Sequence, residues 1–343
     1  MLNRRAFSRM VAAASASVVS ATGCSPTPGA MPVAASSGRA PDSPALGPLK
    51  HVRTDVLDVA YYEAGPADGE VVTLWHGWPY SIECYRDVVP ELVQHGFRVI
   101  VPFLRGNGPT RFLRADTVRS GQQAALGQDV IGLLDALHIP RAVFAGYDWG
   151  GRGSCVAAAL WPQRCAGLVS VNNYQIQNLD AALTPDPPAT ESAHWYFFYF
   201  LSERGRAGLT HNPKELARVV WTRNSPEWHF TEADLDRAAE TFDNPDYVDV
   251  VMHSYRHRLA AAPGDPRYDD VEAQLLKQPP ITVATVTLDG LADGSVPPTD
   301  GTASAKHFTG PRVHHQIPGA GHNLPQENPH AFAAAILEVT TLR

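Results

Sequence analysis

The stretch Ala142-Val143-Phe144-Ala145-Gly146-Tyr147-Asp148-Trp149-Gly150-Gly151 decides the fold. Its first four residues suit a buried strand, and the small residues after Gly151 suit a helix. Between them, Asp148 has a glycine two before it and another two after it. A sharp strand–turn–helix requires that spacing, because the central residue is strained and exposed. A side chain on either flank would collide with the sheet or the helix. The same residues would also suit an ordinary glycine-rich turn with Asp148 capping the helix. The rest of the chain decides between the two.

Upstream, Val71-Val72-Thr73-Leu74-Trp75 is a buried-strand run ending in His76-Gly77-Trp78-Pro79, and Arg98-Val99-Ile100-Val101-Pro102 is another. Between residues 121 and 138, Leu126, Val130, Leu133, Leu134 and Leu137 fall on one helical face. Downstream, Gly167-Leu168-Val169-Ser170-Val171 makes a further strand, and then the alternation stops. Residues 176–278 hold aromatic and charged residues at helical spacings, broken by prolines, with no good strand. Strands return at 281–286 and 312–317, and a last helix covers 329–342. This pattern predicts an α/β fold: a mostly parallel sheet with helices on both faces. Its two parts, 49–175 and 279–343, flank an inserted helical cap, 176–278, that roofs a pocket over the carboxyl ends of the strands.

An aspartate in the sharp turn is ionised at neutral pH and needs no base for its attack. The ester it forms needs an activated water, and therefore a base. His322, in Gly319-Ala320-Gly321-His322 beyond the last strand, supplies one. An imidazole that becomes cationic needs a carboxylate to orient it. Asp293, in Leu288-Asp289-Gly290-Leu291-Ala292-Asp293-Gly294, is placed for that role. The backbone N–H groups of Trp78, after His76-Gly77, and of Trp149 are placed to face the oxygen where negative charge grows.

At these residues the chain resembles the α/β-hydrolase superfamily, in its branch with an aspartate nucleophile, over roughly residues 50–343 with the cap included. The order Asp148, Asp293, His322 is that of the superfamily. The branch holds epoxide hydrolases, haloalkane dehalogenases and fluoroacetate dehalogenases; the fold, the ester intermediate and the triad roles are what the resemblance implies. Trp78 after His-Gly is similar to epoxide hydrolases, where haloalkane dehalogenases usually place Asn. Tyr196-Phe197-Phe198-Tyr199-Phe200 and Tyr255-Arg256 are similar to the stretches that carry the two cap tyrosines of epoxide hydrolases. The resemblance therefore implies Tyr196 and Tyr255 as donors to the epoxide oxygen. A phenol donates at neutral pH and can protonate a more basic alkoxide.

Arg152 and the pair His194-Trp195 are instead similar to features of fluoroacetate dehalogenases. Those enzymes carry a second arginine directly after the nucleophile, where this chain has Trp149, so small haloacids are disfavoured. The expected activity is the opening of a small apolar epoxide by water to a vicinal diol, with no cofactor. Two alternatives stand beside it. One is a haloalkane or haloacid dehalogenase with the same triad, its halide held by Trp149 and Trp78 or by His194-Trp195. The other is a non-catalytic homologue that binds a small ligand under its cap.

Charge and termini narrow the partners. Against 28 Lys and Arg stand 35 Asp and Glu, a net charge of -7, which offers no basic surface for nucleic acid. His253 and His257 are four apart but have no third ligand spaced to complete a zinc site, so no metal is expected. Arg4-Arg5 precede a weakly apolar run from Met10 to Val19 and then Ala21-Thr22-Gly23-Cys24, the pattern of a twin-arginine export signal over residues 1–24. Cys24 after Ala-Thr-Gly resembles a lipobox, whose cysteine is lipidated; a plain signal cut near Ala21 or Ala30 is the alternative. Residues 25–48 are rich in Pro, Ser, Gly and Ala and suit a flexible linker. The expectation is an exported protein, periplasmic or held at the outer face of a membrane through Cys24, with its oligomeric state left open. Cys84, Cys155 and Cys165 remain, an odd count that leaves at least one thiol free.

Overall fold

Strand β6 (Ala142–Gly146) lies in the middle of a sheet of nine strands and is buried along its whole length, as is its neighbour β7 (Cys165–Val171). The other strands are β1 (Lys50–Arg53), β2 (Leu57–Ala64), β3 (Val71–Trp75), β4 (Arg98–Pro102), β5 (Arg111–Phe112), β8 (Thr285–Gly290) and β9 (Arg312–Ile317). Their order is β1-β2-β4-β3-β6-β7-β8-β9, with β5 pairing the far end of β2. From β4 to β9 every pairing is parallel, whereas β1, β2 and β5 pair antiparallel. The computed structural model describes residues 45–342.

Continuous apolar runs in β6 and β7 require cover on both faces. Helix α1 (Val88–Gln94) packs with α12 (Pro329–Thr341), and α2 (Gln123–Ala136) with α3 (Asp148–Leu160). Strand alternation shows that the pairs lie on opposite faces. A Cβ on Gly167 would meet Val339 of α12, while Ser170 Oγ reaches Cys155 of α3. Burying Phe144 or Leu168 between such layers contributes roughly 1.5–3 kcal/mol each.

Between β7 and β8 the chain leaves the sheet. It forms α4 (Pro188–Ala193), α5 (Trp195–Tyr199), α6 (Glu203–His211), α7 (Pro213–Asn224), α8 (Glu232–Ala239), α9 (Tyr247–Arg258) and α10 (Asp269–Leu275). The short α11 (Leu324–Glu327) follows β9 and precedes α12.

The sheet is mostly parallel, as expected, with an antiparallel edge at β1, β2 and β5. One strand boundary is corrected. The strand placed at 281–286 lies at Thr285–Gly290, and Ile281 makes only an isolated bridge to Phe308. Leu288, Asp289 and Gly290 are therefore strand, and the loop that carries Asp293 starts after them. The Leu46 N–H donates to Glu83 at 2.9 Å. Residues 1–24, with the export signal and Cys24, and the linker up to residue 44 lie outside the described residues. Cys84, Cys155 and Cys165 are all buried and free.

Candidate active site

Asp148 stands where β6 turns into α3, with φ at 50°. Few non-glycine residues adopt this left-handed region, and Asp is among the better tolerated. The flanking glycines are sterically required. A Cβ on Gly146 would lie 2.7 Å from the Gly150 carbonyl carbon, and one on Gly150 would lie 2.0 Å from the Trp75 oxygen. Across the turn, a Cβ on Gly77 would press on the Asp148 side chain at 2.6 Å. The turn thus pushes the carboxylate out over the ends of β3 and β6.

Each Asp148 oxygen has its own partner. The Trp78 N–H donates to Oδ1 at 2.8 Å, and His322 Nε2 stands 3.5 Å from Oδ2. Trp149, expected as the second backbone donor, makes no such hydrogen bond; its indole lies against Tyr255, with ring centroids 5.9 Å apart. On the far side of the imidazole, His322 Nδ1 and Asp293 Oδ2 are 2.9 Å apart. Asp293 is fixed in turn by the N–H groups of Ser295 and Val296 on Oδ1, and by the Asn172 amide on Oδ2. Burial works against both charges. It would raise the Asp148 carboxyl, but His322, Arg152 and the Trp78 N–H hold it below the usual range. It would lower His322, but Asp293 and Asp148 outweigh it and lift the imidazole to about 10.

The loop under His322 is clasped by the end of a cap helix. At the end of α7, the Asn224 carbonyl accepts from the N–H groups of Gly294 and His322. Ser225 Oγ accepts from the His322 and Asn323 N–H groups and donates to Glu327 at 2.6 Å. Glu327 also accepts from the Gly321 and Asn323 N–H groups. No sequence motif marks this clasp.

The cap supplies the aromatic wall. Tyr196 on α5 and Tyr255 on α9 are both buried, with ring centroids 5.5 Å apart. Tyr255 also packs against Trp78, Trp149, Phe197 and Phe200. Burial pushes both phenols up, and the nearby Asp148 carboxylate adds to it, so both keep their protons at neutral pH. A cavity of about 240 Å³ opens between core and cap, lined among others by Asp148, His322, Tyr196, Phe197, Arg152 and Arg258; Tyr255, Trp78 and Trp149 stand behind this lining.

Other expected site residues stand back from this cavity. Trp195 packs against the rings of Tyr196 and Tyr199 and does not line it. His76 is buried, accepts from the Leu104 N–H at Nε2 and donates from Nδ1 to the Gly77 carbonyl. Burial lowers it to about 4, so it stays neutral and pins the loop that presents Trp78. The Trp78 indole N–H donates to the Tyr247 hydroxyl at 2.9 Å. His253 and His257 stack on each other, and no cluster of metal-ligating side chains occurs among the described residues.

The family model for the alpha/beta hydrolase fold matches residues 70–329. The chain belongs to that family. A crystal structure of a candidate epoxide hydrolase from Klebsiella pneumoniae is similar to this hydrolase with a TM-score of 0.85 and 43% identity, covering 88% of this chain and 99% of that one. Epoxide hydrolase A of Mycobacterium tuberculosis is 25% identical over 84% of this chain and 96% of its own length. The AB hydrolase superfamily protein YfhM of Bacillus subtilis is 24% identical over 66% of this chain and 78% of its own. This hydrolase is an enzyme of the epoxide hydrolase-like type.

Proposed function

We propose that this hydrolase opens an epoxide to a vicinal diol through an ester on Asp148. The observation that carries the reading is that Asp148, His322 and the Tyr196 side chain open onto one cavity. The ionised Asp148 attacks a ring carbon as the C–O bond breaks, and Tyr196 with Tyr255 stabilises and protonates the leaving oxygen. Forming the ester removes the negative charge beside His322 Nε2, one of the charges that keep the imidazole protonated. The imidazolium then gives up its proton through solvent to restore the tyrosine hydroxyl. The neutral imidazole, oriented by Asp293, takes a proton from the water that attacks the ester carbonyl. Collapse of that adduct frees the diol and returns Asp148 to its carboxylate. The halide reading is weaker. The Trp78 indole already donates to Tyr247, and His194 Nε2 is engaged with Ser295 at 3.2 Å.

The test is to stop the cycle half-way. With His322→Gln, intact-protein mass spectrometry after exposure to styrene oxide should show one substrate mass added to the chain, and none lasting on wild type. A variant that is slow yet unmodified would sink the two-step scheme. We also propose that the enzyme works outside the cytoplasm, tethered through a lipid on Cys24; Arg4-Arg5 and Ala21-Thr22-Gly23-Cys24 support this. Cys24→Ser should then move the protein from the membrane fraction to the soluble fraction.

A further inference from the structure

Arg152, four residues after Asp148 on α3, is only 6% exposed and lines the cavity. It makes no hydrogen bond or ion pair among the described residues, and its buried Nε has no partner. Arg105 shows how a guanidinium is ordinarily buried in this protein. It grips both oxygens of Asp129 at 2.7 Å and donates to the Ser120 carbonyl. An unpaired buried cation is costly, and Arg152 lacks what Arg105 has, a carboxylate in hydrogen-bond contact; Asp148 acts on it only through space. Asp148 does not fill that place, since its oxygens face Trp78 and His322.

A second guanidinium faces the same cavity from the cap. Arg258, in the last turn of α9, lies over the Phe197 ring with its central carbon 4.4 Å from the centroid, and it too has no carboxylate partner among the described residues. The two cations act on each other: burial and the nearby Arg258 push Arg152 down to about 10. Around them the cavity wall carries the amides of Asn172, Gln175 and Gln177. Its one carboxylate is Asp148.

We infer that Arg152 and Arg258 together bind a carboxylate on the substrate, so that the preferred substrate is a small epoxide bearing an acid group, with its ring turned toward Asp148. Planar guanidinium groups suit a carboxylate because they offer paired N–H donors. The inference rests on the epoxide reading for the ring, and on the two arginines for the acid.

The test uses 2,3-epoxybutanoate and its neutral twin 2,3-epoxybutanamide as substrates, and the unreactive butanoate and butanamide as binding probes. Wild type should favour the epoxy acid over the amide at least tenfold in kcat/KM. Arg152→Gln and Arg258→Gln should each lower that ratio tenfold or more, and calorimetry should show butanoate, but not butanamide, binding more weakly to both variants. Should Arg152→Gln fail to fold, Arg258→Gln, at a half-buried cap position, carries the test alone. A wild-type preference for the amide, or a ratio unchanged in the variants, overturns the inference. Arginine-dependent binding of butanoate without turnover of either epoxide would keep the anion subsite and discard the epoxide reading. Turnover of the amide with no butanoate binding would do the reverse.

Discussion

In the core, each reacting group is held by backbone: Asp148 by a left-handed turn and a Trp78 N–H, Asp293 by two N–H groups, His322 by a loop tied down at three N–H groups. In the cap, Tyr196 and Tyr255 are held mainly by rings packed against rings. The core therefore fixes position and charge, while the cap fixes shape and surroundings. Hydrogen bonds to backbone tolerate no change of side-chain length, whereas aromatic packing tolerates a ring of similar volume. A substitution should disturb chemistry most in the core and selectivity most in the cap.

The strongest way to break this contrast is Asp148→Asn, which keeps the shape of the turn and a residue type that accepts its positive φ. Turnover should fall by on the order of ten-thousandfold while the thermal midpoint stays within a few degrees, since the loss lies in the reacting atom. Retention of most activity in steady-state assays of diol formation would remove Asp148 from the mechanism. In the cap, Tyr255→Phe keeps the ring that touches Trp78 and Phe197 and removes only the hydroxyl. Ester formation should slow by roughly ten- to a thousandfold, about 1.4 to 4 kcal/mol of barrier, less than for Asp148 because Tyr196 still donates. Stopped-flow single-turnover rates would show it; a wild-type rate on the best epoxide would leave Tyr255 as packing alone.

Two smaller effects sharpen the comparison. Gly150→Ala forces a methyl to within 2.0 Å of the Trp75 oxygen and should cost at least about 3 kcal/mol in urea unfolding. Gly132→Ala, on α2 with only ordinary contacts at 3.6 Å, should instead stabilise by about 0.5–1 kcal/mol. Equal effects would mean that the turn is not under the steric demand ascribed to it. The last concerns pH. Asp148 is held below the carboxylate range against its own burial, chiefly by His322. In His322→Gln the cation is gone and the burial remains, so the carboxyl titrates at a higher pH. The acid limb of ester formation, which needs the ionised form, should then move to higher pH. An unmoved limb in single-turnover pH profiles would uncouple base from nucleophile.

The same contrast explains what the sequence makes visible. Steric demands around Asp148 permit glycine alone at fixed spacings, so they leave a pattern that can be read from residues 146–151. Chain order and loop position bring Asp293 and His322 within reach of it. The clasp leaves no such trace, because Asn224 acts through a carbonyl that any residue would offer. Strand β8 misleads for a related reason. Thr285, Thr287 and Asp289 look like the end of a strand, yet all three are buried with their polar atoms satisfied. Asp289, for one, accepts from the Asn173 amide and from the N–H and hydroxyl of Thr299. Arg258 is equally silent in sequence: an arginine at the end of a charged helix looks solvated until the fold turns it toward Arg152.

Ser225 makes the cap a poor unit of exchange. A chimaera that took residues 176–278 from a relative without a hydroxyl at position 225 would keep all three triad residues and still lose the side-chain acceptor for the His322 and Asn323 N–H groups. Its histidine would be present but loosely aimed. Recombination that respects the physical seam would graft α4 to α6 and α8 to α10 while leaving the end of α7 with the core, so that the boundary useful to an engineer runs through the cap and not around it.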